Sequence, residues 1–263
     1  MRAPSAVLRH AAFSLRFARR LSAPVPYLLH EASPGRSIRT YRLSDSGVAV
    51  VVRHHTGDIG TLDEIFSQEV DRPPAEVTEA LSSLGRPIVV ADLGANVGLF
   101  SAYALTQFEV QELIAIEPDP VNFEVLERCA AANRDRALWQ LVPAAASNRD
   151  GEVPFLGGMD AMSRVGEGGE TDARVPEVDV FDALDGADLL KVDIEGSEWR
   201  ILKDPRMAGL GVRAVVLEYH PRGCPGDDAE EEARALLARA GFRVLDHVRL
   251  GIPGHGTLWG LRR

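Results

Sequence analysis

The chain predicts an α/β fold: a mostly parallel sheet with helices on both faces. From about residue 87, short apolar runs alternate with segments of helical periodicity, the pattern of a doubly wound sheet. Several of those runs end in Asp, Glu or Gly, where a strand would hand over to a turn. No apolar run reaches the roughly 18 residues of a membrane span, so an integral membrane protein is not expected. With 263 residues, 45% hydrophobic and 26% charged, the chain can bury a sizeable core.

The elements follow in order. Ile88 to Ala91 is a strand running into Asp92-Leu93-Gly94, and Val97 to Gln107 is a helix. Leu113 to Ile116 is a second strand, followed by a helix from Asp119 to Asn133 with Asp119 as its N-cap. Leu138 to Val142 is a third strand, Asp188 to Asp193 a fourth, with a helix starting near Ser197, and Val212 to Tyr219 a fifth. Asp227, Asp228, Glu230, Glu231 and Glu232 open a helix over 228–240, where acids complement the helix dipole; that run is structural rather than metal-binding. Two strands close the chain, around Phe242–Asp246 and Thr257–Leu261. Residues 151–180, rich in glycine and acid, read as a mobile loop or irregular hairpin that closes over a ligand. Upstream, Val48 to Arg53 is β-like and Asp63 to Val70 helical. The expected organisation is a basic helical extension over 1–40, a cap or substrate segment over 41–86, and the sheet domain over 87–263.

Charge is unevenly distributed. The net charge is −10, yet residues 1–40 carry seven Arg against Glu31, or +6, leaving −16 for the remainder. An acidic body argues against nucleic-acid binding. Only Lys191 and Lys203 are lysines; this arginine bias, with abundant Ala and Gly, suggests a GC-rich bacterial genome. Cys129 and Cys224 alone build neither a disulfide framework nor a zinc cluster, consistent with a reducing cytoplasm. Leu8, Ala11, Ala12, Leu15 and Ala18, with Phe17 or Leu21, recur at helical spacing, predicting a helix that packs on the body or on a second copy as a homodimer. A membrane-surface role for it is the less favoured reading.

The chemistry concentrates at the strand ends. Asp92-Leu-Gly94-Ala-Asn96-Val-Gly98 lies where the first strand turns into its helix; glycine lets backbone N–H groups approach a ligand there, and the helix start adds a positive end. Glu117 ends the next strand, 19 residues beyond Gly98, where an acid can grip ribose hydroxyls. The glycine spacing is G-x-x-x-G rather than the G-x-G-x-x-G of nicotinamide enzymes. Asp92 would repel a pyrophosphate but accept a hydrogen bond from a cationic amino acid, which points to S-adenosylmethionine. Asp193 ends strand four, and Glu218 with His220 end strand five, where open α/β sheets bind ligands. Lys191 shares a face with Asp193, and an ion pair with a nearby carboxylate is its expected role. Of Glu195 and Glu198, one is expected in a first helical turn and the other, Glu195, facing the site. His54-His55, on opposite faces, are expected in a loop or at the surface.

Those segments together resemble the FkbM-type methyltransferases: Asp92-Leu-Gly-Ala-Asn-Val-Gly98, Glu117-Pro118-Asp119-Pro120, Lys191-Val-Asp193-Ile-Glu195-Gly196-Ser-Glu198 and Leu217-Glu218-Tyr-His220. Arg53, Thr56-Gly57-Asp58 and Ile65-Phe66 are similar to that family's opening segment, and the resemblance covers roughly residues 50–245. It implies a class I methyltransferase fold with strand order 3-2-1-4-5-7-6, strand seven antiparallel, and methyl transfer to an oxygen of a small molecule or sugar. It implies S-adenosylmethionine held by Asp92, Gly94, Asn96, Gly98, Glu117, Pro118, Ala146, Ser147 and Asp193, with Phe123 either flanking adenine or in the core. Catalysis would fall to Asp193, Glu218 and His220, the histidine either as base, with a pH limb near its ordinary value of about 6.5, or as a satisfied loop histidine. Magnesium is conceivable on Asp193, Glu218 and His220 but not expected. Two other readings stand beside this one, a nicotinamide-dependent oxidoreductase and a non-catalytic cofactor-binding scaffold. The acceptor's identity is not written in the chain.

Overall fold

The computed structural model describes residues 6–158, 163–166, 171, 173–249 and 254–262. Two helices, α1 (Ala6–Ala18) and α2 (Pro24–Ala32), lead into a strand pair, β1 (Ile38–Arg42) and β2 (Ala49–Arg53). Then come α3 (Asp58–Phe66) and α4 (Ala75–Ser82). The helix expected at Asp63–Val70 thus lies five residues earlier, because Asp58 is tied back to Arg53: its carboxylate accepts from the Arg53 backbone N–H at 2.9 Å and guanidinium at 2.7 Å. The helices α2 and α4 were not anticipated.

The predicted alternation follows, with β3 (Ile88–Leu93), α5 (Leu99–Gln107), β4 (Val110–Ile116), α6 (Pro120–Ala132) and β5 (Leu138–Val142). Next come β6 (Ala145–Ser147), β7 (Gly151–Leu156), β8 (Arg164–Val165), β9 (Arg174–Asp179) and α7 (Val180–Ala183). The chain closes through β10 (Leu189–Val192), α8 (Glu198–Lys203), β11 (Ala214–Tyr219), α9 (Ala229–Arg239), β12 (Phe242–Arg249) and β13 (Gly256–Arg262). The expected N-caps are in place: Asp119 accepts from Val121 N–H, and Asp228 from Glu230 and Glu231 N–H.

The main sheet has seven strands in the spatial order β12-β13-β11-β10-β3-β4-β5. Counted in chain order within this sheet alone, that is 3-2-1-4-5-7-6 from the β5 edge. It is mixed rather than parallel throughout, since β13 runs antiparallel to both β11 and β12. A single sheet was expected, but the described residues form two more: β1-β2, and a four-stranded sheet ordered β6-β9-β7-β8. The second of these occupies much of the 151–180 segment. Its strands arise where β7 and β9 pair antiparallel, Val153 opposite Val175, so the hairpin alternative holds for the described part. Residues 159–162, 167–170 and 172 of the expected closing loop lie outside the described residues.

Strand periodicity of two sorts the main sheet into two faces. Ile88, Val90, Leu189, Ala214 and Val216 pack toward the N-terminal helices and α5. Ala91, Leu93, Leu190, Val192, Val215 and Leu217 pack toward α8 and α9. The same count puts Asp92, Lys191 and Glu218 on the face that the N-terminal segment covers, with Lys191 beside Asp92 in register. Helix α1 packs on α2 and α3. Its buried side is Ser14, Phe17, Ala18 and, just beyond it, Leu21, whereas the expected Ala11, Ala12 and Leu15 are exposed, Leu15 by 56%. Ring size decides this: Phe17 meets Tyr27 and Phe66 edge-on at 5.7 and 6.0 Å, and Ser14 donates to Glu31. His54 and His55 stand in the turn after β2, as the loop alternative expected, but His54 is not at the surface: it is fully buried, hydrogen-bonded to Tyr41 Oη at 2.7 Å and to Glu31, while His55 is exposed.

Candidate functional site

A cavity of about 320 Å³ opens at the C-terminal ends of β3, β4, β10 and β11. The turn after β3 forms its floor. Gly94 N–H and Ala95 N–H both donate to Ile116 O at 3.0 Å, which pins the turn to β4. Gly94 has φ +82, and a Cβ there would stand 1.8 Å from the Asp193 carbonyl oxygen. Glycine is required because the turn after β3 and the end of β10 touch backbone to backbone. Asn96 at φ +50 and Glu195 at φ +51 hold left-handed conformations that non-glycine residues seldom adopt, both at the cavity wall.

Glu117 is 95% buried, with both carboxylate oxygens engaged: one accepts from Asn96 N–H at 2.9 Å, the other from Asp119 N–H at 2.8 Å. Burial pushes its carboxyl up to about 7, against the pull of those two N–H groups. Asp119 couples the small sheet to this end, since its carboxylate accepts from Gly158 N–H at 2.6 Å and Ser163 Oγ at 2.7 Å as well as capping α6. Phe155, Ser163, Arg164 and Val165 thereby form a wall of the cavity.

At the other end, Lys191 Nζ donates to Asp193 at 3.0 Å, the ion pair expected of it. Burial alone would lower the Lys191 ammonium, but Asp193, Asp71, Glu218 and Asp92 together raise it. Asp193 is ionised for the matching reason: burial disfavours the charge, and Lys191 and His220 more than offset that. Burial and the Asp193 charge push Glu218 well up, and Glu195 up to about 7.

Of the anticipated residues, Gly94, Asn96, Glu117, Pro118, Ala146, Asp193 and Glu218 line the cavity together. Five others are not among its lining residues. Asp92 is buried beneath the turn and accepts from Ser101 Oγ at 2.7 Å; burial pushes its carboxyl up to about 6. Gly98 starts α5 at φ +84, with Leu126 and Cys129 packed so closely that a Cβ would meet Leu126 at 2.9 Å. Ser147 donates to Glu177 at 2.9 Å, within the small sheet's connections. Phe123 packs on the Ala95, Ala115 and Leu126 cluster, as core.

His220 is the fifth, and the structure changes its chemistry. Its backbone N–H donates to Glu198 at 2.9 Å and its Nδ1 bonds the same oxygen at 3.1 Å. Its Nε2 lies 3.6 Å from Glu195, 3.7 Å from Glu218 and 4.0 Å from Asp193. Burial would lower the ring, but the Glu198 hydrogen bond and the surrounding carboxylates raise it to about 9. At neutral pH it is an imidazolium holding acids together, not a free base titrating near 6.5. Asp193, Glu195 and His220 present ligand atoms within 4.8 Å of one another. Glu198, in the first turn of α8, is the structural one of the two glutamates, and Glu195 the one at the cavity.

Residues 92–244 match the family model described as a methyltransferase FkbM domain. The chain belongs to the FkbM methyltransferase family. Relatives include the methyltransferase sdnD of Sordaria araneosa, 26% identical over 195 residues, 59% of this chain and 73% of that one. The 31-O-demethyl-FK506 methyltransferase FkbM of Streptomyces tacrolimicus is 29% identical over 196 residues, 60% of this chain and 73% of its own. The hexuronic acid methyltransferase AglP of Haloferax volcanii is 27% identical over 160 residues, 57% of this chain and 63% of that protein, less than two thirds. A crystal structure of a methyltransferase FkbM from Methylobacillus flagellatus KT aligns with 97% of this chain and 59% of its own, at 17% identity and a TM-score of 0.49.

The FkbM-family match begins at Asp92, yet Thr61, Glu64, Ile65, Val70 and Asp71 from the preceding segment also wall the cavity. Sequence reasoning missed Glu64 and Asp71. Nothing local marks them, because they reach the site through the packing of α3 and the turn after it.

The protonation pattern predicts how stability varies with pH. Asp92, Glu117 and Glu195 hold their protons more tightly folded than unfolded, and so does His220. A group whose folded pKa is raised contributes stability below its unfolded value and loses it as pH rises through the folded one. For the carboxyls that window runs from their ordinary range to about 7, and for His220 from 6.5 to about 9. Thermal unfolding of the ligand-free protein is therefore expected to move to lower temperature between pH 6.5 and about 9, the unfolded and folded values for His220. In His220→Gln the part above neutrality should vanish; a melting temperature that instead rises over that range contradicts the assignment.

Proposed function

We propose that the protein is an S-adenosylmethionine-dependent methyltransferase that methylates a hydroxyl of a small molecule or sugar. One observation carries this reading: a glycine turn that admits no side chain stands against a buried acid, Glu117, and an ionised Asp193 closes the far end. The donor set fits the cofactor, because the cavity combines ribose-binding acid, close backbone approach and a negative end for a positively charged group. Asn96 adds a buried Oδ1 with no hydrogen bond among the described residues, an acceptor left for a ligand N–H or O–H.

When bound, the cofactor supplies an electrophilic methyl: the acceptor oxygen forms the C–O bond as the C–S bond breaks and its electron pair passes to sulfur. The chain's tasks are alignment and removal of the hydroxyl proton. Glu117 with the Gly94–Asn96 turn holds the nucleoside end, and Asp193, fixed by Lys191, orients the reacting end. Glu218, which burial and the Asp193 charge make the more basic carboxylate, takes the proton in its ionised form, and His220 keeps those acids close without giving up its own. No step here calls on magnesium.

Calorimetric titration with S-adenosylhomocysteine tests the reading. Wild type should bind it, and Glu117→Ala should lose roughly 1.5–3 kcal/mol of affinity, the worth of a hydrogen bond to a charged group. Unchanged affinity would remove Glu117 from the ribose site.

A further inference from the structure

The end of the cavity away from Glu117 holds more acid than methyl transfer needs. Glu64, Asp71, Asp193, Glu195 and Glu218 all line it. Two cations face them: Lys191, already bonded to Asp193, and His220, between Glu195, Glu218 and Asp193. Arg164, the other cation on the wall, stands on β8 next to Ser163, which is bonded to Asp119 at the Glu117 end.

Asp71 decides the matter. It is 4% exposed, it lines the cavity, and no hydrogen bond or ion pair to it is formed among the described residues. Lys191 acts on it only through space. A buried carboxylate without a donor is costly, and a ligand that brings an N–H or a positive charge recovers that cost. Glu64 stands on the same wall, exposed to solvent. Both residues precede the matched FkbM domain, which begins at Asp92. A ligand carboxylate or phosphate at this end would meet the ionised Asp193 and carboxyls that its charge already pushes up, Glu218 and Glu195.

We propose that the methyl acceptor carries a protonated amine, seated on Asp71 and Glu64 beside the hydroxyl that is methylated, and that anionic acceptors are rejected. This rests on the methyltransferase reading above. It sets the chain apart from its relative named for hexuronic acid.

The test uses full-length protein saturated with S-adenosylhomocysteine, titrated with three methyl glycosides that share one ring: those of glucosamine, glucose and glucuronic acid. The amine should bind at least about tenfold more tightly than the neutral sugar, as expected for a desolvated charge pair, and the uronate least. Asp71→Asn with Glu64→Gln should erase the preference, and Asp71→Glu should keep it. No binding of the amine, equal binding of all three, tighter uronate binding with or without added magnesium, or a preference that survives the double substitution would each overturn the proposal. Failure to bind S-adenosylhomocysteine at the outset would instead overturn the cofactor reading, which keeps the two failures apart.

Discussion

Replacing Gly94 with Ala is expected to destabilise the protein by roughly 2–5 kcal/mol and to abolish binding of S-adenosylhomocysteine. Two costs add. The residue must hold φ +82, a left-handed conformation that L side chains resist by about 1–2 kcal/mol. The added Cβ would also stand 1.8 Å from Asp193 O and 3.1 Å from Ile194 Cγ2, so the β3 turn and the end of β10 must move apart. That movement strains the Gly94 and Ala95 bonds to Ile116 O and the Asp193 N–H bond to Leu93 O, each 3.0 Å. Because the same contact shapes the cavity floor, affinity and stability should fall together. Urea unfolding and calorimetric titration of one preparation measure both. A variant with wild-type values for the two would mean that the floor is not built as described.

The second large effect concerns Asp193. In a labelled methyl-transfer assay with a screened acceptor that wild type turns over, Asp193→Asn is expected to lower turnover by roughly 10²–10⁴-fold. Its charge is held by Lys191 at 3.0 Å on one side and faces His220 at 4.0 Å on the other, so neutralising it removes the centre of the network. Lys191 would be left buried without its charged partner, at a cost of up to about 3–5 kcal/mol, so stability must be followed alongside. Adding Lys191→Met removes that orphaned charge. The double variant should regain stability but not turnover, which separates a role in the reaction from a role in folding. Full turnover in either variant would exclude Asp193.

How much of this was legible in the sequence depends on how local each feature is. The strand ends carrying Glu117, Asp193 and Glu218 could be read because a short apolar run fixes a strand and a period of two fixes its faces. Gly94 could be read for the same reason, although the neighbour that forbids a side chain there, Asp193 O, lies about a hundred positions away. Features set by distant packing were not legible. The N-terminal helix shows its Phe17 side to the core because Tyr27 and Phe66 accept that ring, which helical spacing cannot foresee. His54 is buried because Glu31 and Tyr41 meet it, and Glu31 comes from a helix that was not anticipated. His220 looked like a base at the end of a strand, and Glu198, 22 residues earlier, makes it an imidazolium. Asp71 and Glu64 gave no signal of their own, since an acid in a segment read only as a cap over 41–86 is ordinary until the fold places it near Lys191 and Asp193.

The central claim is that the cavity takes a sulfur-bearing nucleoside and not a nicotinamide dinucleotide. Native mass spectrometry of the protein, mixed with equal amounts of S-adenosylhomocysteine and NAD and then freed of excess ligand, tests it most directly. The structure predicts a single added mass, that of S-adenosylhomocysteine, weakened in Glu117→Ala and absent in Gly94→Ala. An adduct with the mass of NAD, or no adduct of S-adenosylhomocysteine in wild type, would contradict it.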